Sequence, residues 1–297
     1  MAFQAGASLG LNGEATSAEC RVSRLPGSPT VSEQARIARE NRVSMEGHRY
    51  QLVGKTEVME ELRREVKRLA RLGDTVLILG ERGTGKELVA RSLHHESRRR
   101  GGPFVLVDCS ALSATVFESD LFGHERGSFT GAHNRKIGLL EDAHGGTLFF
   151  DEVSHLTAAL QGKLLRFLEE KTIRRVGGRT QLDVDARVVV ATNRDLQQMT
   201  EAGEFLPDLF DRINVLRLVT PPLREHLEDI PELVRHFSLL HGLDGTLLEP
   251  AEEVVALLQQ HPWPGNVRQL FNVLRRVASQ GEAGAGRLEQ FARAMSY

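Results

Sequence analysis

The sequence predicts an α/β protein with a mostly parallel sheet covered on both faces, followed by a small all-helical domain. Three observations carry this. Short apolar runs of strand type alternate with amphipathic helical segments from residue 52 onward, the pattern that crossover helices impose on a parallel sheet. A glycine-rich turn, Gly80–Glu87, separates the first such run from the next helix. After Pro221-Pro222 the strand-type runs stop.

The 297 residues suffice for one large domain or two with a real core. Hydrophobic residues at 40% and charged residues at 26% are ordinary for a soluble globular chain. A net charge of −2 gives no overall attraction to nucleic acid or anionic lipid, although it leaves room for a local basic patch. Two cysteines, Cys20 and Cys109, exclude a disulfide framework, and Cys109, ending a strand-like run, reads as a buried thiol. No stretch approaches about eighteen apolar residues, and the N-terminus lacks a basic-then-apolar leader. The expectation is a cytoplasmic protein with no membrane partner.

Along the chain, residues 1–50 are rich in Gly, Ala, Ser and Glu with nearly balanced charge, and read as a flexible tail with one short helix at Val31–Arg42. The α/β part occupies 51–222. Met59–Ala70 has helical spacing and Thr75–Leu79 is the first strand, broken by Gly80 and Gly83. Glu87–His94 is helical, Phe104–Val107 a second strand, Gly138–Ala143 helical and Thr147–Phe150 a third strand. Leucines at 160, 164, 165 and 168 make Ala158–Glu169 an amphipathic helix. Arg174–Val184 carries the hairpin signal Gly177-Gly178, and Arg187–Ala191 is a strand of valines. The helical domain, 223–280, is predicted from Asp229–Leu240, Ala251–Gln260 and Val267–Ala278. Residues 281–297 form a short tail with one amphipathic stub, Arg287–Met295, too little for a helix-turn-helix.

The turn Gly80-Glu81-Arg82-Gly83-Thr84-Gly85-Lys86-Glu87 meets the phosphate-loop pattern G-x-x-x-x-G-K-[ST] except at its last position. Glycines permit the tight turn that points backbone amides at phosphates, and the following helix adds its positive end. Lys86 is placed to reach the outer phosphate oxygens. The hydroxyl that ordinarily joins Mg²⁺ is replaced by Glu87, whose carboxylate is repelled by a triphosphate unless it points away or engages the metal. Asp151 and Glu152 follow the third strand, at the end of a sheet that presents ligands. Asp151 is the expected Mg²⁺ ligand, direct or through water, and Glu152 the residue that polarises the attacking water. The pair also fits a plain helix cap. The motif set as a whole reads as an ATP-hydrolysing site.

Leu121-Phe-Gly-His-Glu-Arg-Gly-Ser-Phe-Thr-Gly-Ala132 resembles the signature loop of the bacterial activators of sigma-54 RNA polymerase, whose usual core is Gly-Ala-Phe-Thr-Gly-Ala. The resemblance runs from about Leu52 to Ala278 and includes the phosphate loop, so Glu87 is what the family carries. It also takes in Gly145–Glu152, Ala191–Leu196, Pro221–Arg224 and Trp263–Arg268. It implies an AAA+ fold: a P-loop three-layer sandwich with a helical lid, assembled into rings, usually hexamers, with ATP between subunits. It implies that Gly127, Ser128, Phe129, Thr130, Gly131 and Ala132 contact the sigma-54 holoenzyme, and that hydrolysis remodels the closed promoter complex. By the same resemblance Asn193 senses the γ-phosphate, with Thr192 the less favoured candidate. Arg268 is the lid's sensor, and Arg212 reaches the neighbouring subunit's nucleotide. By residue type alone Arg212 reads equally as a solvated loop charge.

Three departures qualify the transfer. Leu206 stands where a second trans-acting arginine is expected, Asp108 where an Asn usually holds the catalytic glutamate, and Ser128 where the signature has Ala. Slow turnover is the expectation. The relatives' N-terminal regulatory and C-terminal helix-turn-helix domains are not visible, which leaves open action from solution, mixed rings with a homologous activator, or a shortened chain. Two alternatives stand beside the activator: a weakly catalytic or non-catalytic adaptor that modulates a homologue, and an AAA+ remodeller of some other protein.

Overall fold

Five strands run parallel in the order β2-β3-β6-β1-β7. They are β1 (Val76–Leu79), β2 (Phe104–Asp108), β3 (Thr147–Asp151), β6 (Arg187–Thr192) and β7 (Leu216–Val219). The computed structural model describes residues 51–110, 114–241 and 251–279. The predicted tail over 1–50 with its helix at 31–42, and the stub at 287–295, lie outside the described residues.

The pleat explains why the strands are apolar without alternation. Leu77, Leu148, Phe150, Val188 and Val190 pack on one face with helix α5 (Ala158–Glu170) and with α7 (Pro207–Ile213). Val76, Ile78, Phe149, Val189 and Ala191 pack on the other with α1 (Glu57–Ala70) and α2 (Lys86–His95). Both faces are covered, so successive residues of a central strand are all buried. Buried Arg187 then ties α1 to the sheet by donating to the carbonyls of Leu69 and Ala70, at 2.8 and 3.1 Å.

Several elements exceed the sequence reading. Helices α3 (Ala114–Phe122), α6 (Leu196–Glu201) and α7 were not predicted, nor was β7. The single turn α4 (Leu139–Asp142) falls inside its predicted range. The predicted hairpin exists but is closed further out than expected: β4 (Thr172–Ile173) pairs antiparallel with β5 (Leu182–Asp183), and Arg174–Gln181 is the excursion between them.

The lid comprises α8 (Ile230–Leu240), α9 (Glu252–Gln260) and α10 (Asn266–Ser279) around a core of its own. Trp263 is fully buried there, its indole N–H donating to Leu258 O at 2.7 Å. The segment 52–56 laces the two cores together, Leu52 packing on the sheet side and Val53 on the lid side. Buried Asp229 holds this segment by accepting from Lys55 N (2.6 Å), Thr56 N (3.0 Å) and Thr56 Oγ1 (2.6 Å). Gly54 is required there: a Cβ would come within 2.5 Å of Asp229 Oδ2, at a φ of +140°.

Candidate nucleotide site and signature loop

The phosphate loop leaves β1 at Gly80, where a Cβ would meet Thr220 Oγ1 at 1.9 Å. Thr220 in turn is held by its N–H to Leu79 O (2.8 Å) and by Thr84 Oγ1 (2.7 Å). Gly83 and Gly85 have φ of +80° and +92°, the left-handed geometry that curls the loop into the start of α2. Lys86 is buried, donating to the carbonyls of Gly80 and Glu81 at 3.0 and 3.2 Å, with Nζ 3.4 Å from Glu152 Oε1. Glu87 does not crowd the loop. Its carboxylate accepts from Arg91 Nε at 2.8 Å, one turn along α2, with Nη2 2.7 Å from the same oxygen.

Asp151 ends β3 half-buried, and Glu152 follows in the left-handed region at φ +54°. A non-glycine residue there costs on the order of 1–3 kcal/mol and persists only when its surroundings hold it. The hold is visible. Glu152 Oε2 accepts the Asn193 backbone N–H at 3.2 Å, and with its amide nitrogen facing Glu152 the Asn193 side chain donates at 2.8 Å. In that orientation the amide oxygen accepts Arg82 Nε at 3.1 Å. Arg82, Asn193, Glu152 and Lys86 thus form one contiguous network across the ends of three adjacent strands. Thr192 is engaged locally, its hydroxyl accepting from Arg194 N at 3.0 Å.

Asp108 lies opposite Asp151 in the β2–β3 register, and its carboxylate accepts from Ser110 N and Oγ at 2.9 and 2.6 Å. Its effect is felt at Asp151. Burial pushes the Asp151 carboxyl above the usual range, Glu152 and then Asp108 push the same way, and Lys86 opposes them. A cation beside Asp151 would relieve that crowding. Among the described residues no three His, Cys, Asp or Glu side chains converge as a self-sufficient metal site. The donors present fit an ion of Mg²⁺ type, which is ordinarily completed by water and phosphate oxygens rather than by a protein cage.

The lid reaches the same loop. Arg268 is exposed, and its backbone N–H approaches Gly83 O at 3.3 Å. Two contacts here escaped the sequence reading. Asn266, fully buried, donates to Glu81 Oε2 (3.1 Å) and Arg82 O (3.0 Å) and accepts from Leu223 N (2.8 Å). Arg224 grips Glu81 with both terminal nitrogens, at 2.9 and 2.7 Å. Only the Trp-Pro-Gly-Asn lead-in hinted at Asn266.

The signature loop is a separate, exposed structure. Gly127 and Gly131 have φ of +81° and +105°, and the loop closes through Gly127 N to Ala132 O at 2.8 Å. Phe129 is 40% exposed, its ring edge-on to His124 with centroids 5.0 Å apart, and Thr130 is exposed beside it. Ala132 is buried. Ser128 faces the hairpin turn: its hydroxyl oxygen is buried without a partner, and a Cβ on Gly177 would lie 2.6 Å from Ser128 Cβ.

Arg212 and Leu206 stand apart from the network. Arg212 donates to Leu168 O at 3.2 Å, at the end of α5. Leu206 is partly buried against the sheet core, its N–H bound to Gln161 Oε1 at 2.8 Å. Gln161, also missed from sequence, is buried and donates to the carbonyls of Leu156 and Glu204 as well, at 2.9 and 3.1 Å.

Among the described residues no helix is long and apolar enough to cross a membrane. The Sigma-54 interaction domain family matches residues 52–219, and the AAA+ ATPase lid domain family matches 224–296. The chain is 49% identical to the DNA-binding transcriptional regulator NtrC of Bradyrhizobium sp. (strain RP501 Parasponia) over 231 residues, covering 77% of this chain and 48% of that protein. It is 46% identical to the Nif-specific regulatory protein of Herbaspirillum seropedicae over 230 residues, 77% of this chain and 42% of that one. The chain thus spans about half the length of the curated relatives it matches. In structure it is similar to NtrX from Brucella abortus in complex with ATP, with a TM-score of 0.73 and 36% identity over 84% of this chain and 58% of that one. Family match and identity agree: the chain belongs to the sigma-54 interaction family and carries that family's AAA+ core and lid.

Proposed function

We propose that this chain binds and hydrolyses ATP and uses the energy to remodel sigma-54 RNA polymerase holoenzyme at a closed promoter complex. The observation that carries this is the pairing of two features in one chain: the Lys86–Glu152–Asn193 network at the strand ends, and an exposed Phe129–Thr130 loop with no role in the chain's own core. An apolar ring held out on a small turn suits a partner contact better than folding.

In this reading the amides of Gly80–Lys86 bind the phosphates, and Lys86 exchanges its bonds to Gly80 O and Glu81 O for phosphate oxygens. Asp151 would hold Mg²⁺, directly or through a water, and the ion would supply neutralisation of phosphate charge. Glu152, fixed by Asn193, orients and polarises the attacking water. Arg268 reaches the nucleotide from the lid. Arg212 acts on a neighbouring subunit's nucleotide in a ring, usually hexameric, that is homomeric or mixed with a homologous activator. The α/β ATPase part is assigned to 51–222 and the lid to 223–280. The relatives' printed descriptions as transcriptional regulators, and an NtrX structure with ATP, support the assignment.

Two observations favour a second reading, that of a weakly catalytic adaptor in mixed rings. Leu206 supplies no cation, and Arg212 is engaged by its own chain at Leu168 O. Open-complex formation on a sigma-54 promoter with ATP separates the readings, comparing wild type with Thr130→Ala and Glu152→Gln. Melting that survives Thr130→Ala removes the sigma contact. Melting that survives Glu152→Gln removes hydrolysis by this chain as its source.

A further inference from the structure

We propose that Asn266 is a positioning residue for the ATPase reaction: through one buried amide it couples the geometry of the phosphate loop to the position of the lid. The inference rests on the ATPase reading above and assigns to it a lid residue that touches the phosphate loop at Glu81 and Arg82.

The amide of Asn266 is used on every side. Both hydrogens of Nδ2 are committed to the loop, one to Glu81 Oε2 at 3.1 Å and one to Arg82 O at 3.0 Å. The oxygen takes the N–H of Leu223, the residue that opens the lid, at 2.8 Å. The residue is fully buried, so water cannot replace these bonds if one side moves away. Its backbone is left-handed, φ +52°, a conformation that Asn tolerates better than most side chains. Neighbouring contacts are weaker substitutes. The Arg224–Glu81 pair is about half exposed on both sides, hence screened, and the Arg268 N–H to Gly83 O contact is long at 3.3 Å.

The loop side of this contact is also the side that nucleotide rearranges. Lys86 now bonds the carbonyls of Gly80 and Glu81, and releasing them to grip phosphate frees the peptides next to those that Asn266 holds. A shift in Glu81 or Arg82 is therefore delivered to the Leu223 N–H through the Asn266 amide, with the more exposed Arg224–Glu81 pair beside it. In the opposite direction, lid rotation re-aims the peptides that line the phosphate site.

The test uses the full chain with Mg·ATP. Asn266→Gly keeps the left-handed backbone and removes the amide, and Asn266→Asp keeps the size but sets a carboxylate against Glu81. Glu81→Ala removes one loop partner of Asn266, and the Arg224 pair with it, at a half-exposed position, and serves if the Asn266 variants fold poorly. Steady-state kinetics and hydrogen exchange of residues 220–227 and 263–270, with and without ATP, are the readouts. In wild type, ATP slows exchange in both segments. Asn266→Gly is expected to raise KM about tenfold, the scale of one lost hydrogen bond to a charged group, with kcat little changed. It should also abolish the ATP-induced protection of the lid segments, Asn266→Asp should do more, and Glu81→Ala should raise KM about threefold with the same loss of protection. A lower melting temperature with unchanged KM and intact protection overturns the inference and leaves Asn266 a structural residue. A wild-type chain that binds no ATP fails one step earlier, removing the ATPase reading and with it the coupling.

Discussion

Asn193 is joined to Glu152 twice. Its backbone N–H lies 3.2 Å from Glu152 Oε2, and its amide nitrogen lies 2.8 Å from the same oxygen. Two donors on one carboxylate oxygen fix a side chain whose own backbone is in a costly left-handed conformation. Positioning of this kind is what water activation requires.

Asn193→Ala removes the shorter of these bonds and the link to Arg82, and leaves the backbone donor in place. Turnover is expected to fall about 10–100-fold with KM changed by less than about threefold. Steady-state ATPase measures both, and an unchanged kcat would show that Glu152 needs no orientation from this side chain.

Leu206→Arg places a cation at the start of α7 at the expense of a partly buried apolar contact. A stability loss of about 1 kcal/mol is expected from the lost burial, together with a rise in ATPase per subunit of about tenfold at concentrations that favour assembly. Equal activity at every protein concentration would remove Leu206 as a cause of slow turnover.

Within the signature loop, Ser128 sits directly against Gly177 of the hairpin turn. Removing the partnerless hydroxyl by Ser128→Ala should be neutral or stabilising by up to about 1 kcal/mol. Gly177→Ala places a Cβ 2.6 Å from Ser128 Cβ at a φ of +74° and should cost about 1–3 kcal/mol. Thermal melts of the two variants should move in opposite directions or, for Ser128→Ala, not at all.

The junction residues Asp229 and His226 predict acid sensitivity in two windows. Burial would raise the Asp229 carboxyl, but the Thr56 hydroxyl and the N–H groups of Lys55 and Thr56 hold it below its usual value. Its contribution is therefore present above the unfolded carboxylate value near about 4 and lost as pH falls through the folded one. Burial lowers His226, with Asp229 opposing, so the unfolded chain takes up that proton first and stability declines already below about pH 6.5. Melting temperature against pH should show both slopes, and Asp229→Asn should flatten the lower one.

Cys109 is buried, and burial, followed by Asp108 and the Asp151–Glu152 pair, pushes its thiol far up. Its reaction with a thiol reagent near pH 8 should follow the unfolding rate. Fast labelling of Cys109 itself, resolved from Cys20 by peptide mapping, would contradict the burial of this residue at the end of β2.

The sequence was most legible where chemistry and burial are local. The phosphate loop, Asp151-Glu152 and the apolar run Leu148-Phe149-Phe150 of β3 announce themselves within a few positions. What stayed hidden has physical reasons. β7 is an edge strand with Arg217 and Val219 exposed, so it lacks a clean apolar run. Helices α6 and α7 are six and seven residues long, too short to display a period. Asn266 acts on Glu81 across 185 positions, and Gln161 on Leu206 across 45, distances over which a linear reading carries no signal. The Asp108 departure reads differently in three dimensions. Its carboxylate is satisfied at Ser110, and its charge bears on Asp151.

The chain that carries Phe129 leaves the sheet after Asp108 and rejoins it at Thr147, on β2 and β3, which are direct neighbours in register. A mechanical load taken up at Phe129 would therefore enter the sheet as shear between two adjacent strands, and would not act as a torque on all five.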